Sequence, residues 1–249
     1  MPLSAVIYTS NEVFSSVRDA VRKSAEGLAI KPYTFSFAHK LESGAIRVRA
    51  TELVQGVLMP VVREMVRKGE ATLASSADRE VREAAYEELI EDGDRTRRVA
   101  TIRFASPTII EVQGEGVPFP VIHAIFARYR EIWSAFSPVP LNPATEAMEH
   151  VHVTDFKISC AAAGPIGAGV EGRGTASFGV GAEGWVTLEM ERGRTEQEIA
   201  LFNTLVDFAF YCGTGAHTDE GLGQTRRMER PSPHPALCAP GQEWDRALL

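Results

Sequence analysis

The stretch CGTGAHTDEGLGQTRR at residues 212–227 places four glycines, a histidine and two arginines directly behind a helical pattern. The glycines are Gly213, Gly215, Gly221 and Gly223. Glycine has no Cβ and tolerates positive φ, so these positions predict a tight turn whose N–H groups face a phosphate-bearing partner. Arg226 and Arg227 would supply positive charge beside that turn.

The position of this glycine-rich loop (residues 213–223) excludes the commonest glycine-rich motifs. A Rossmann fingerprint opens a helix after the first strand, and a P-loop ends in Gly-Lys-Ser/Thr. Here the loop follows a helix near the C-terminus. The sequence therefore predicts no nucleotide cofactor.

The spacing G-x-G-x5-G-x-G followed by QTR closely resembles the glycine-rich loop of the CRISPR repeat-processing endoribonucleases, the Cas6 family, which mature guide RNAs. Three further stretches follow the order seen in this family: KPYTFS at 31–36, FASPT at 104–108, and residues 178–186 ahead of the last helix. The resemblance implies a metal-independent endoribonuclease that cuts within a CRISPR repeat and leaves a 2′,3′-cyclic phosphate.

The partners that the resemblance implies are CRISPR repeat RNA, the mature guide RNA and other subunits of a CRISPR effector complex. His150 and His152 alternate onto one strand face, but no third residue has the spacing of a metal ligand. We therefore expect no metal and no cofactor.

Charge and composition limit the mode of RNA binding. The 249 residues are 44% hydrophobic, with a net charge of −7, which argues against indiscriminate coating of nucleic acid. Residues 1–68 carry ten Lys/Arg against six Asp/Glu, while residues 131–200 carry four against ten. This distribution predicts a basic face on an acidic body.

The three cysteines, Cys160, Cys212 and Cys238, form no C-x-x-C pair, so neither a disulfide scaffold nor a zinc site is indicated. The N-terminus lacks a basic leader. No stretch approaches the ~20 apolar residues of a membrane span. These features predict a soluble cytoplasmic protein with no membrane partner.

The order of the predicted elements, together with the family resemblance, predicts an α+β fold of two tandem ferredoxin-like (RRM-like) β-α-β-β-α-β domains, at residues 1–94 and 95–228, with a Pro-rich tail at 229–249. In the first half we expect strands at 3–8, 33–38, 45–50 and 69–74, and helices at 11–26, 51–67 and 78–90. In the second half we expect strands at 99–105, 151–161, 174–190 and 224–228, and helices at 119–136 and 195–211.

Three local details complete this prediction. Asn11 and Thr51 are expected to cap the first two helices, and Pro60 to kink or bound the second. Arg47 and Arg49 alternate with apolar residues and share one strand face.

The expected catalytic histidine is missing from its usual position. Many family members carry it at the end of the first helical region, shortly before the serine that matches Ser36. Counting back from Ser36 gives Ala25, which cannot transfer a proton. Three explanations remain: a substitution removed the histidine, the base lies elsewhere, or the protein binds RNA without cutting it. The short segment before Ser36 also allows a deletion that shifts the count.

The nearest substitutes are His39, Lys40 and Tyr33, which are the predicted catalytic residues. RNA cleavage by the 2′-OH needs a base, an acid and a cation, and these residue types suffice. The alternative is that His39 is a solvated loop histidine, Lys40 is simply exposed, and Tyr33 is a packed strand aromatic.

The predicted RNA-binding residues form two groups. Arg18, Arg22 and Lys23 would line one edge of a cleft, as basic helices do in the family, although ordinary surface charge is the alternative. The second group comprises Gly213, Gly215, His217, Gly221, Gly223, Arg226 and Arg227. Here the alternatives are an exposed turn histidine and a solvated basic pair.

Overall fold

The computed structural model of the protein describes residues 1–141, 145–164 and 179–228, and the predicted tail at 229–249 lies outside the described residues. The elements of the first half are β1 (Leu3–Thr9), α1 (Asn11–Ser24), β2 (Tyr33–Phe35), β3 (His39–Lys40), β4 (Ile46–Glu52), α2 (Met59–Lys68), β5 (Ala71–Leu73), β6 (Arg82–Glu83) and α3 (Tyr86–Glu91).

The second half contains the longer elements. They are β7 (Val99–Thr108), β8 (Ile110–Val112), β9 (Glu115–Val117), α4 (Ile122–Phe136), β10 (Val151–Ala163), β11 (Gly179–Met190), α5 (Glu196–Cys212) and β12 (Thr225–Met228). Short 3₁₀ helices occupy Thr145–His150 and Thr218–Glu220. None of the helices in the described ranges is long and apolar enough to cross a membrane.

The two sheets share one strand order. The first is β2-β4-β1-β5, with β3 added beside β4 and β6 beside β1, and the second is β10-β11-β7-β12. Each unit has four main strands, which are β1, β2, β4 and β5 in the first and β7, β10, β11 and β12 in the second. In each sheet the first main strand lies beside the third, and the second and fourth form the edges, which is the ferredoxin-like order. The prediction of two tandem ferredoxin-like units is confirmed.

Each sheet is covered by helices on one face. In the first half α1 and α2 pack on β1 and β4 around Phe14, Val21 and Val48. In the second half α4 and α5 pack on β7 and β11 around Phe126 and Phe202. Tyr86 and Leu89 of α3 also belong to this second core, ahead of the division expected at residue 94.

Ser10, not Asn11, caps α1. The Ser10 hydroxyl accepts a hydrogen bond from the Val13 N–H at 3.3 Å. Asn11 is instead the first helical residue. Serine and asparagine both favour the N-cap position, so residue propensity alone does not show which of these two neighbours caps the helix.

The expected helix over 51–67 begins later than predicted. Thr51 lies in β4, and α2 starts at Met59. The buried Glu52 carboxylate accepts the N–H groups of Leu58 and Met59, both at 3.0 Å, and thereby takes the role assigned to Thr51. Pro60 lies in the first turn, where its missing N–H costs no helical hydrogen bond, so no kink results.

The charged segment at 78–90 is helical only from Tyr86. Ahead of the helix, the short strand β6 pairs with β1. Asp78 forms an ion pair with Arg47 at 3.1 Å. Residues 76–80 form turns, so the ion pair of Asp78 and the pairing of β6 with β1, rather than local helix propensity, decide the conformation of this segment.

Candidate functional site

A cleft lies between the face of the first sheet opposite α1 and α2 and the face of the second sheet opposite α4 and α5. On β4, Ile46 and Val48 point into the first core, so Arg47 and Arg49 point to the opposite face. On β7, Ile102 and Phe104 point into the second core, so Arg103 lies on the opposite face. This basic cleft is lined by Ser36, Phe37, His39, Arg47, Arg49, Glu80, Arg103, Ala105, Ser106, Gln224, Thr225 and Arg226.

Gln224 ties the two sheets together at the floor of the basic cleft. Its side-chain Nε2 donates to the Phe35 carbonyl at 2.7 Å, and its Oε1 accepts from the Arg49 guanidinium. Its backbone N–H donates to the Ser106 hydroxyl at 2.9 Å. Arg49 also lies over the ring of Phe210 at 4.4 Å. These contacts fix the separation of the two walls.

Burial and repulsion from neighbouring arginines both act on Arg49 and Arg226 of the basic cleft. Arg49 is fully buried, and burial, followed by repulsion from Arg226, lowers its pKa to about 10, against the opposing effect of Glu80. Burial lowers the pKa of Arg226 as well, and Arg103 lowers it further. A cluster of like charges in a partly desolvated site favours an anion that neutralises it.

Two of these arginines are available to an anion. Arg47 forms ion pairs with Asp78 and Glu80, the latter at 2.8 Å. Within the described ranges, neither Arg103 nor Arg226 forms an ion pair or a side-chain hydrogen bond. Arg103 and Arg226 are register partners across β7 and β12, so their side chains share one face.

His39 lies at the rim of the basic cleft. It pairs in register with Arg47, so the two side chains share a face, and its side chain is exposed. Lys40 pairs with Ile46, a core residue, and therefore points to the other face of the sheet. The structure brings His39 to the cleft and directs Lys40 away from it.

Arg226 and Arg227 also separate. Arg227 pairs with Ile102 and therefore faces the helix side of the sheet. There its guanidinium donates to Asp207 of α5 at 2.6 Å and to the Asn203 side-chain oxygen at 3.0 Å. The predicted pair of phosphate-binding arginines thus provides one cleft residue and one residue that anchors β12 to α5.

The glycine-rich loop packs against its own protein rather than presenting a row of free N–H groups. The Gly213 N–H donates to the Ala209 carbonyl and the Gly223 N–H to the Pro107 carbonyl, both at 3.0 Å. A Cβ on Gly215 would lie 2.1 Å from the Ile109 carbonyl oxygen. At these positions the glycines permit close backbone packing. The N–H groups of Gly213 and Gly223 are already bonded to carbonyls and do not face a phosphate.

The loop also contacts α1. Glu220, in the 3₁₀ turn of the loop, is buried and forms ion pairs with Arg18, at 3.3 Å, and with Arg22. Lys23 is exposed beside them. His217 adopts a left-handed backbone conformation at φ 56°, and its side chain is exposed. Arg18 and Arg22 therefore join the first half to the glycine-rich loop.

Comparison with known proteins places these features in a family. The family model for the CRISPR-associated endoribonuclease Cas6 matches residues 102–225, about half of the chain, including β7, the glycine-rich loop and the start of β12. The chain belongs to the Cas6 family. Curated proteins give no match by sequence.

Solved Cas6 structures share the fold over 92% of this chain. Thermus thermophilus Cas6 is 23% identical with a TM-score of 0.69, over 92% of this chain and 98% of that one. The same protein solved as a product complex gives a TM-score of 0.71 at 23% identity, over 92% and 99%. A second Cas6 product complex gives 0.73 at 22% identity, over 92% and 100%.

The position expected to carry the Cas6 histidine is a core position in this chain. Ala25 is fully buried, in the core of the first half at the C-cap of α1. Its carbonyl accepts a hydrogen bond from Lys31 Nζ at 2.9 Å. A side chain at position 25 therefore points into the core, and the adjacent Glu26 is exposed.

Tyr33 is unsuited to the catalytic role that we predicted for it. Its ring packs against Phe35 in the first core, and only 1% of the residue is exposed. Burial, together with the charge of Asp219, raises its pKa to about 12 despite the nearby Arg22 and Arg18. The phenol lies beside the glycine-rich loop on the helix side of the sheet, away from the basic cleft.

Sequence reasoning missed several residues of the basic cleft in this Cas6-family chain, above all Arg103, Ser106 and Gln224. The signal for Arg103 was a charged residue between Ile102 and Phe104 in a predicted strand. The sequence showed Arg47 and Arg49 on one face but gave no indication that a second sheet lies opposite that face.

Proposed function

We propose that this chain binds CRISPR repeat RNA in the basic cleft and cleaves it within the repeat. The observation that carries the proposal is the pair Arg103 and Arg226, two partly desolvated cations without an ion-pair partner among the described residues, in a Cas6-family fold. Two of the matched Cas6 structures are product complexes and a third is a substrate mimic complex. The mature guide RNA would be the product that stays bound.

The proposed reaction is attack of the 2′-oxygen on the adjacent phosphorus. A bond forms between the 2′-oxygen and phosphorus, the bond to the 5′-oxygen breaks, and the products carry a 2′,3′-cyclic phosphate and a 5′-hydroxyl. His39 would accept the 2′-OH proton, and water at the open rim would protonate the leaving oxygen. Arg103 and Arg226 would stabilise the additional negative charge on the phosphorane.

This assignment of roles follows from position. Among the three predicted catalytic residues, only His39 lines the basic cleft. Its register partner Arg47 is neutralised by ion pairs with Asp78 and Glu80. Arg47 would therefore hold the wall of the cleft in place and contribute little to phosphate binding. The positive charge available to RNA lies across the cleft at Arg103 and Arg226.

The second candidate function is a non-cleaving RNA-binding subunit of a CRISPR effector complex. The alanine at position 25 favours this function, because the position expected to carry the family's histidine holds a buried residue that cannot transfer a proton. The two functions share the basic cleft and differ only in chemistry.

One experiment separates the two functions. The chain is incubated with labelled repeat RNA in EDTA, and product ends are mapped. Cleavage at one site with a cyclic phosphate, abolished by a 2′-deoxy substitution at the mapped nucleotide, is the result we expect. Tight binding without cleavage would establish the non-cleaving subunit. Cleavage that requires added Mg²⁺ would contradict the mechanism, and absence of binding would contradict both functions.

A further inference from the structure

The open face of the second sheet carries a row of side chains that leads out of the basic cleft. Lys157 of β10 pairs in register with Trp185 of β11, Trp185 with Arg103 of β7, and Arg103 with Arg226 of β12. Directly opposed residues share a face, and neighbouring strands lie about 4.8 Å apart. The four residues therefore form one line across the sheet, about 14 Å long.

The register irregularities of this sheet leave the row intact. They fall between Val153 and Asp155 in the β10–β11 pair and between Ala182 and Gly184 in the β11–β7 pair. The opposite face at this level carries Val186 and Ile102, both in the core. The row consequently faces away from α4 and α5.

The side chains of the row are available to a ligand. Trp185 is partly exposed and Lys157 exposed. Within the described ranges, no ring contact or side-chain hydrogen bond engages the Trp185 indole, and no carboxylate pairs with Lys157. Three acidic residues share this face: Glu183, whose raised pKa reflects burial opposed by Arg103, the exposed Asp155 opposite Thr187, and Glu189, which pairs with Arg98. None of them forms an ion pair with the row.

An indole between cations suits an unpaired nucleotide. An aromatic ring stacks on any base, and flanking lysine and arginine side chains contact the phosphates on either side. A base in a duplex is already stacked and paired, so its face is not available to the indole. The chemistry of the row therefore suits single-stranded RNA better than a hairpin stem.

We propose that a single-stranded segment flanking the repeat hairpin leaves the basic cleft at Arg226 and crosses the open face of the second sheet. One unpaired base stacks on Trp185, and an adjacent phosphate contacts Lys157. This inference rests on the proposed function and extends it by assigning a second RNA segment to a separate surface.

The test compares three labelled RNAs: the repeat hairpin alone, the hairpin with about eight unpaired uridines on the 5′ side, and the hairpin with the same extension on the 3′ side. Trp185→Ala should weaken binding of one extended RNA by about 5- to 150-fold, as loss of one base–aromatic stack does. Binding of the bare hairpin should be unchanged. Phe156→Ala is the matched control, since Phe156 is exposed on the opposite face of the same sheet.

Tryptophan fluorescence gives a direct readout. The chain has three tryptophans, Trp133, Trp185 and Trp244, and Trp133 is fully buried. In a Trp244→Phe background the extended RNA should quench emission, and the quench should vanish when Trp185→Phe is added.

Failure of the proposed function and failure of this inference give different results. If the wild-type chain binds none of the RNAs, the proposed function is wrong and this inference with it. If the RNAs bind and Trp185→Ala weakens binding of no extended RNA, or weakens binding of the bare hairpin equally, only the second surface is wrong.

Discussion

Arg226 and Arg227 are consecutive in β12, yet their guanidinium groups lie on opposite faces of the sheet. Arg226 shares its face with Arg103 in the basic cleft, while Arg227 forms an ion pair with Asp207 at 2.6 Å on the helix side. Strand alternation produces this division, and it gives two adjacent cations different roles.

Substitution of these two arginines separates binding from stability. Arg226→Ala should weaken repeat RNA binding and reduce the slope of log K against log salt by about 1, because one phosphate contact is lost. Arg227→Ala should keep that slope but lower the free energy of unfolding by about 1–3 kcal/mol, since its hydrogen bonds to a charged partner are lost. Salt titrations of RNA binding measure the slope, and urea denaturation measures the free energy of unfolding. Equal slope changes in the two variants would contradict the division of roles.

His39 and Lys40 allow the same comparison for catalysis. His39→Ala should slow single-turnover cleavage by about 10²–10⁴-fold while leaving RNA affinity nearly unchanged, because it removes only the proposed proton acceptor. Lys40→Ala should cleave at the wild-type rate, since Lys40 shares its face with Ile46 and not with the basic cleft. Cleavage that survives His39→Ala at full rate would show that the base lies elsewhere.

Gly215 tests whether the glycine-rich loop is a packing element. Gly215→Ala would place a Cβ 2.1 Å from the Ile109 carbonyl oxygen, at the point where the Ala216 N–H donates to that oxygen. The control is Gly114→Ala, where φ is also positive, at +85°, but the space is open. The control should cost about 1 kcal/mol of unfolding free energy, and Gly215→Ala about 3 kcal/mol or more, because a clash adds to the strain. Equal losses in urea denaturation would contradict the packing role.

The order of helices and strands followed from the sequence because each long element has a clear hydrophobic period. The errors occur where a tertiary partner overrides local preference. Glu52 caps α2 from within β4, and Asp78 lies in a turn and pairs with Arg47 instead of starting a helix. Neither partnership is visible in the local sequence.

The candidate site was predicted less completely than the fold. The sequence analysis selected Arg226 from the glycine-rich loop motif and His39 as a substitute near Ser36, and both line the basic cleft. The same reasoning also selected Arg227, Lys40 and Tyr33, which face the helix side of their sheets. Arg103 was missed because its proximity to Arg226 depends on which strands pair, and that pairing is long-range.

The burial of Ala25 predicts that an imidazole introduced at this position will not supply the missing base. Ala25 is 0% exposed within the first core, so Ala25→His should lower the free energy of unfolding by about 1–3 kcal/mol through overpacking. Its cleavage rate, measured with folded protein at saturating repeat RNA, should not exceed that of the wild type. Glu26→His is the control, because Glu26 is exposed and a surface substitution usually changes stability by no more than about 0.5 kcal/mol. A stable Ala25→His variant that cleaves faster than the wild type would show that position 25 reaches the scissile phosphate, and the base would then have to be sought at the end of α1 instead of at His39.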